Sequence, residues 1–329
     1  MPSLPPAIAE IRLAVRIALT GVPDDAVIVV ALSGGADSLA LAAATAFEAR
    51  SRGMQVLTAT VDHGLQDGSA DAAASAAGKA EALGVRALTA RVDVAGGPDG
   101  LEAAARDARY AALREIAVRE RAAAVLLGHT LDDQAETVLL GLARGAGATS
   151  LQGMAARRED ADGTIWLRPM LGVRRATTET FCAASDLEPW HDPHNRESRF
   201  ARVRARETVL PVLERELGPG VAEALARTAE QLREDAEAFD EMIHETIEDI
   251  VEHAEAGISV SVAALAANPA AVRNRIIRLV AHSEFGSSLT RTQTLEVARL
   301  VTDWSGQGPI ALPGCTASRV GGRIVFAAR

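Results

Sequence analysis

The chain has 329 residues, 48% of them apolar, and a formal net charge of −10, which excludes a disordered chain and leaves room for a full core and two domains. The acidity argues against a uniformly nucleic-acid-binding surface, but residues 207–256 alone carry 15 acidic against 3 basic residues. Residues 144–206 hold 11 arginines against 8 acids, so a local basic surface stays open.

The first apolar run, 26–32, follows Asp24-Asp25 and is too short for a membrane span and wrongly flanked for a signal peptide. Strand patterns at 27–32, 55–61, 87–92 and 124–128 alternate with helical patterns around 38–51, 69–84 and 101–121. This alternation predicts βαβ units, hence an α/β fold with a parallel sheet covered by helices on both faces. Ligands of such sheets bind at the carboxyl ends of the strands, where Ser33-Gly34-Gly35-Ala36-Asp37-Ser38, Asp62-His63 and Gly128-His129 all fall.

The first of these clusters carries a recognisable chemistry. Two glycines let the backbone turn tightly and bring its N–H groups near an anion. Ser33 and Ser38 add hydroxyls, and a helix begins at the same point with its positive end. The segment is a nest for phosphate or pyrophosphate, and neither a Walker A loop nor a dinucleotide fingerprint occurs in the chain. In isolation, Asp37 reads equally well as an N-terminal helix carboxylate.

The second cluster is Gly128-His129-Thr130-Leu131-Asp132-Asp133-Gln134-Ala135-Glu136-Thr137. Asp132 and Glu136 are four apart and share a helix face, and Asp133 reaches part of it. Grouped carboxylates suit Mg²⁺ or a substrate ammonium; Asp132 and Asp133 also suit helix capping. His129 is placed to orient a phosphate or to carry a proton near neutral pH.

From 145 to 206 the pattern turns irregular. Cys182 reads as a small buried residue, and with Cys315 so distant no disulfide framework or cysteine metal site is expected. Trp190 and Phe200 flank Asp192-Pro193-His194-Asn195 and read first as core residues. Arg202 and Arg206 are four apart, able to face a phosphate together or to pair with Glu197 and Glu207 on a solvated face. A long helix near 219–255 follows, with Val221, Leu225, Leu232, Phe239, Ile243, Ile247 and Ile250 as its apolar stripe. The chain closes with a helix, a Gly/Pro turn at 312–314 and a strand at 323–327.

The Ser33–Ser38 loop matches the pyrophosphate loop of the N-type ATP pyrophosphatases at all five fixed positions. With 61–65, 128–137, Asp192 to Asn195 and the arginines after them, the chain resembles the tRNA(Ile)-lysidine synthetases over most of its length. The resemblance implies a catalytic domain at 1–210 and a smaller, mainly helical domain at 211–329 that binds tRNA or substrate. It implies adenylation of the wobble cytidine of a CAU-anticodon isoleucine tRNA by ATP, then displacement of AMP by free L-lysine, in the cytoplasm. Ser33, Gly34, Gly35, Ala36 and Ser38 would bind the pyrophosphate, and Asp37 would hold Mg²⁺. Asp132, Asp133 and Glu136 would seat lysine or keep its amine deprotonated, with His129, Arg202 and Arg206 at phosphate or base. Many members form homodimers. Val203 stands where many members carry Asn, so any role of that amide is absent or moved.

Alternatives are a tRNA thiolase, a synthetase fed by an ammonia-producing partner, or a non-catalytic nucleotide- or RNA-binding module on the same fold. Two isolated cysteines speak against the first, the lack of a nucleophile after Met1 against the second, and the intact carboxylates against the third.

Overall fold

The computed structural model describes residues 4–64, 68–94, 101–145, 147–190, 197–254 and 257–329. The chain divides into two units, Met1–Leu232 and Arg233–Arg329.

The first unit opens with α1 (Pro6–Ala18), β1 (Val27–Ala31), α2 (Ala36–Arg50), β2 (Gln55–Asp62), α3 (Ser69–Ala82), β3 (Arg86–Arg91), α4 (Leu101–Arg119) and β4 (Ala124–Leu126). After these come α5 (Leu131–Ala143), α6 (Ala148–Leu151), β5 (Arg157–Glu159), β6 (Ile165–Leu167) and α7 (Arg175–Ala184). The six strands form one sheet in the order β3-β2-β1-β4-β6-β5, with only β5 antiparallel to its neighbour. From β1 the chain steps outward to β2 and β3, then returns to the other side of β1 with β4. That reversal leaves a crevice outside the carboxyl ends of β1 and β4.

Alternation along β1 accounts for the two covered faces. Ile28 and Val30 are fully buried with Ile11 of α1, Leu39 and Leu41 of α2, and Phe181 of α7. Val29 points the opposite way, into Leu57, Leu113 and Ile116 of α4, Val125 and Trp166. Full burial of one such side chain contributes about 1.5–3 kcal/mol. The middle of α2 is buried nearly all round, because it packs on β1 and also against α1 and α7. Its many alanines permit that close approach.

One charge lies in this layer. Glu48 of α2 is 7% exposed and accepts from Arg12 Nε at 2.7 Å and Arg16 Nε at 2.8 Å. Hydrogen bonds from Arg16 and Arg12 outweigh burial and hold its carboxyl below the ordinary glutamate range. A depressed folded-state pKa stabilises above that range, and the contribution is lost as the pH falls through it. The melting temperature of the wild type is therefore expected to exceed that of Glu48→Gln near neutral pH, with the gap closing below about pH 4. A gap independent of pH in parallel melts would contradict the clamp.

Beyond α7, the chain forms α8 (Ala201–Arg204), a single π turn at Ala205–Val209, α9 (Leu210–Leu217) and α10 (Val221–Ile250). The division between units falls within α10. Its buried positions recur every seven residues as Ala222, Ala229, Ala236, Ile243 and Ile250. The stripe predicted from bulk is buried at Ile243 and Ile250 and partly buried at its other positions, with Leu225 and Ile247 packed on core clusters, whereas alanines occupy the fully buried line before Ile243.

In the second unit β7 (Val251–Ala254), β8 (Gly257–Ser261), α11 (Val262–Ala267), α12 (Ala270–Phe285), α13 (Arg291–Thr302), β9 (Ile310–Ala311), β10 (Cys315–Val320) and β11 (Arg323–Ala328) complete the chain. Its strands form an antiparallel sheet in the order β7-β8-β11-β10-β9. Val260, Ala317, Ile324 and Phe326 of the sheet share a core with Leu265, Ile276, Val280, Val297 and Leu300 of the helices. The α/β architecture and the smaller second unit agree with the sequence expectation, and the final strand is β11. The rest of this sheet escaped the sequence pattern because β9 has two residues and β10 buries only Cys315 and Ala317. No helix among the described residues is long and apolar enough to cross a membrane.

Candidate active site

The crevice is a cleft of about 730 Å³, and Ser33, Gly35, Ala36, Asp37 and Ser38 form one of its walls. Gly34 adopts φ +86°, a left-handed conformation that glycine enters without strain. Ser38 Oγ ties the loop together, accepting from the Ser33 N–H at 3.1 Å and donating to the Gly35 carbonyl at 3.0 Å. The Gly34 carbonyl accepts from Trp190 N–H at 2.9 Å, so Trp190 braces the loop, half-buried at the cleft edge. Gly35 caps α2 with no side chain over the free N–H groups, which leaves them open to an anion.

Gly128, at the end of β4, lets that strand lie against the loop. A Cβ there would stand 3.2 Å from the Asp37 carbonyl carbon and the Ser38 nitrogen, both backbone atoms. Gly128→Ala is accordingly expected to cost about 1–3 kcal/mol of stability by overpacking. It should also raise the Kd for ATP roughly tenfold, by about 1.4 kcal/mol, through displacement of the loop. Calorimetry with ATP checks this, and unchanged affinity would sink it.

Arg175, the first residue of α7, joins the carboxylates. Its guanidinium lies 3.3 Å from Asp37 Oδ2, 2.8 Å from Asp133 Oδ1 and 3.5 Å from Glu136 Oε1. Arg206 Nε donates to Glu136 at 2.7 Å, and Arg202 Nε stands 3.6 Å from the same carboxylate. Arg202 Nη2 also donates to Thr137 Oγ1 at 3.0 Å. Asp132 instead accepts from the Arg175 backbone N–H at 2.7 Å and from Arg174 at 3.3 Å. Burial pushes the Asp37 carboxyl up, and Arg175 and Thr178 offset this only in part. Burial acts the same way on Asp133, but there Arg175, the Thr130 N–H and Arg206 prevail and hold it down.

Of the predicted residues, Ser33, Gly35, Ala36, Asp37, Ser38, His129, Asp133, Arg202 and Arg206 line the cleft, and Gly34 supplies the turn behind it. Glu136, with no exposed surface, lies beneath the arginines, and Asp132 turns toward Arg174. His129 is half-buried, and its desolvation drives the pKa down to about 3, so the imidazole is neutral at pH 7. Asp192 and Asn195 lie outside the described residues. Cys182 is buried with its thiol facing the Ala36 carbonyl at 3.5 Å, and burial raises it to about 11.

Sequence reasoning missed Arg174, Arg175 and Thr178. A signal was present: two arginines sit at the positive end of a helix, where cations are unfavourable, so acidic partners had to lie opposite.

Among the described residues, no three His, Cys, Asp or Glu side chains converge as a metal site. Mg²⁺ needs no such cage, since one or two carboxylates with substrate phosphates suffice. Asp37, a hard oxygen donor at the head of the phosphate nest, fits that requirement.

A family model for the PP-loop domain matches residues 11–213, and one for the TilS substrate binding domain matches 261–325. The tRNA(Ile)-lysidine synthase of Leifsonia xyli subsp. xyli is 56% identical over 92% of this chain and 90% of its own. Those of Salinispora tropica and Thermobifida fusca are 50% and 46% identical over 95% and 96% of this chain, and 94% and 95% of theirs. Among solved structures, the U34-tRNA thiolase NcsA from Methanococcus maripaludis, with its 4Fe-4S cluster, aligns at a TM-score of 0.59 with 18% identity. It covers 69% of this chain and 80% of that one, a likeness of fold.

Proposed function

The chain belongs to the tRNA(Ile)-lysidine synthase family, and on that premise we propose that it ligates free L-lysine to C2 of the wobble cytidine of CAU-anticodon tRNA(Ile). The observation that carries the reading is the phosphate nest at Ser33–Ser38 facing Asp133 and the arginines across one cleft. The cytidine O2 attacks the α-phosphorus of ATP and pyrophosphate leaves. The lysine ε-amine then attacks C2, AMP departs with O2, and the amine gives up its proton.

The loop N–H groups and the hydroxyls of Ser33 and Ser38 receive charge that grows on the departing pyrophosphate. Asp37 is the residue proposed to hold Mg²⁺, which when bound neutralises phosphate charge. Asp133 is the carboxylate proposed to meet the lysine ammonium, since Asp132 and Glu136 are turned away from the cleft. Arg202 and Arg206 are proposed to leave Glu136 for a phosphate as substrate enters. Cys182 and Cys315 are both buried, and no cysteine is among the residues lining the cleft, which disfavours sulfur transfer. We place the enzyme in the cytoplasm, with 1–210 catalytic and 211–329 engaging tRNA or substrate. We read it as a homodimer on family grounds; light scattering tests the assembly.

The deciding experiment incubates the protein with Mg·ATP, labelled lysine and either tRNA(Ile) bearing CAU or the methionine tRNA. Label in the isoleucine tRNA alone, with lysidine mass after digestion, is the expected result. ATP turnover without lysine transfer would retain the loop assignment and overturn the lysidine reading.

A further inference from the structure

The cationic side chains around the cleft fall into two sets. Arg175, Arg202 and Arg206 are matched by carboxylates. Arg106 and Arg109, on α4, also line the cleft, yet neither forms an ion pair with a described carboxylate. Burial lowers the Arg109 pKa, the cations Arg106 and Arg202 add to this, and the Tyr110 hydroxyl opposes it. Arg168, 4% exposed, stands behind them and donates only to the Ala155 carbonyl at 2.8 Å and to Tyr110 Oη at 3.3 Å.

Polar atoms tell the same story. The Nε groups of Arg109 and Arg168, and the Nδ1 atoms of His63 and His129, are buried without a hydrogen-bond partner in the protein. Both histidines line the cleft, at the carboxyl ends of β2 and β4. A guanidinium partly withdrawn from water without a counter-charge is costly, and the half-buried Arg109 beside Arg106 and Arg202 is such a group, which an arriving anion would match. Asp62 acts on His63 and Asp133 on His129, but neither pairs with Arg106 or Arg109, and donors left over in this way suit phosphate, which accepts from several N–H groups at once.

We propose that Arg106 and Arg109, with His63 and His129 and backed by Arg168, form a second phosphate site in the cleft, separate from the Ser33–Ser38 nest. It would take either a phosphodiester of the RNA backbone beside the target base or the α-phosphate of the nucleotide. This rests on the function proposed above, and its test is independent of lysine transfer.

Full-length Arg109→Met and Arg106→Gln are compared with wild type in two assays. One is calorimetric binding of ATP without RNA; the other is filter binding of a CAU anticodon stem-loop over a salt series. Loss of one charge-assisted contact is expected to weaken one of the two ligands about tenfold. For an RNA phosphate, the slope of log affinity against log salt also falls by about 1. A change confined to ATP assigns the nucleotide phosphate instead. Arg106 is exposed, so its replacement leaves folding intact, and Arg109→Lys is expected to retain most of the affinity. Wild-type affinity for both ligands in both substituted proteins would overturn the site. If these affinities depend on Arg109 while wild type transfers no lysine, the site stands and the lysidine reading fails.

Discussion

Asp37→Asn is expected to reduce ATP–pyrophosphate exchange by roughly 10²–10³-fold, the scale of removing one preorganised charge-stabilising group, while leaving the fold as stable as wild type or more so. The stability half follows from sign. Burial raises the Asp37 pKa, so the folded state disfavours its charge above the ordinary carboxylate range. Replacing the charge with a neutral group of the same shape relieves that penalty near pH 7. Thr178 Oγ1, which donates to Asp37 Oδ1 at 2.5 Å, keeps an oxygen to donate to. Arg175 keeps Asp133 and Glu136 as partners. The activity half follows from position, since the carboxylate stands in the first turn of α2 on the cleft wall. Exchange assays and thermal melts on one preparation separate the roles. Wild-type exchange with a lowered melting temperature would make Asp37 a structural helix-terminal carboxylate.

Glu136→Ala is expected to behave in the opposite manner, losing stability first. The carboxylate has no exposed surface and is surrounded by Arg206 at 2.7 Å, Arg175 at 3.5 Å and Arg202 at 3.6 Å. Removing one member of a buried ionic set strands the others, at about 3–5 kcal/mol. For a unit of this size that corresponds to a fall in melting temperature of roughly 6–20 °C. A cycle with Arg206→Ala should show a coupling of about 0.5–3 kcal/mol, because the second change removes a charge the first left unmatched. Additive losses, or a melting temperature within about 2 °C of wild type, would mean that the arginines find other partners and Glu136 is not their anchor.

The two substitutions also separate what each level of description supplies. The phosphate nest was legible from Val29, Gly34, Gly35 and Ser38 alone, because strand pattern, turn glycines and helix start are set within a few residues of one another. Gly128-His129 and the acidic turn of α5 were legible for the same local reason, as was the alternation that builds the parallel sheet. Burial of charge was not. Asp37 and Arg175 lie 138 positions apart, and Glu136 and Arg206 lie 70 apart, so no local pattern states that they meet. Neither could the sequence show that Asp133 faces the cleft while Asp132 and Glu136 turn from it, since one helix face can divide among several partners. The same holds for Arg109: its guanidinium reads as an ordinary surface charge until the fold places it beside Arg106 and Arg202 with no ion-pair partner among the described residues. Short-range geometry is written in adjacent residues, whereas the matching of buried charges depends on long-range packing, and only the tertiary structure decides it.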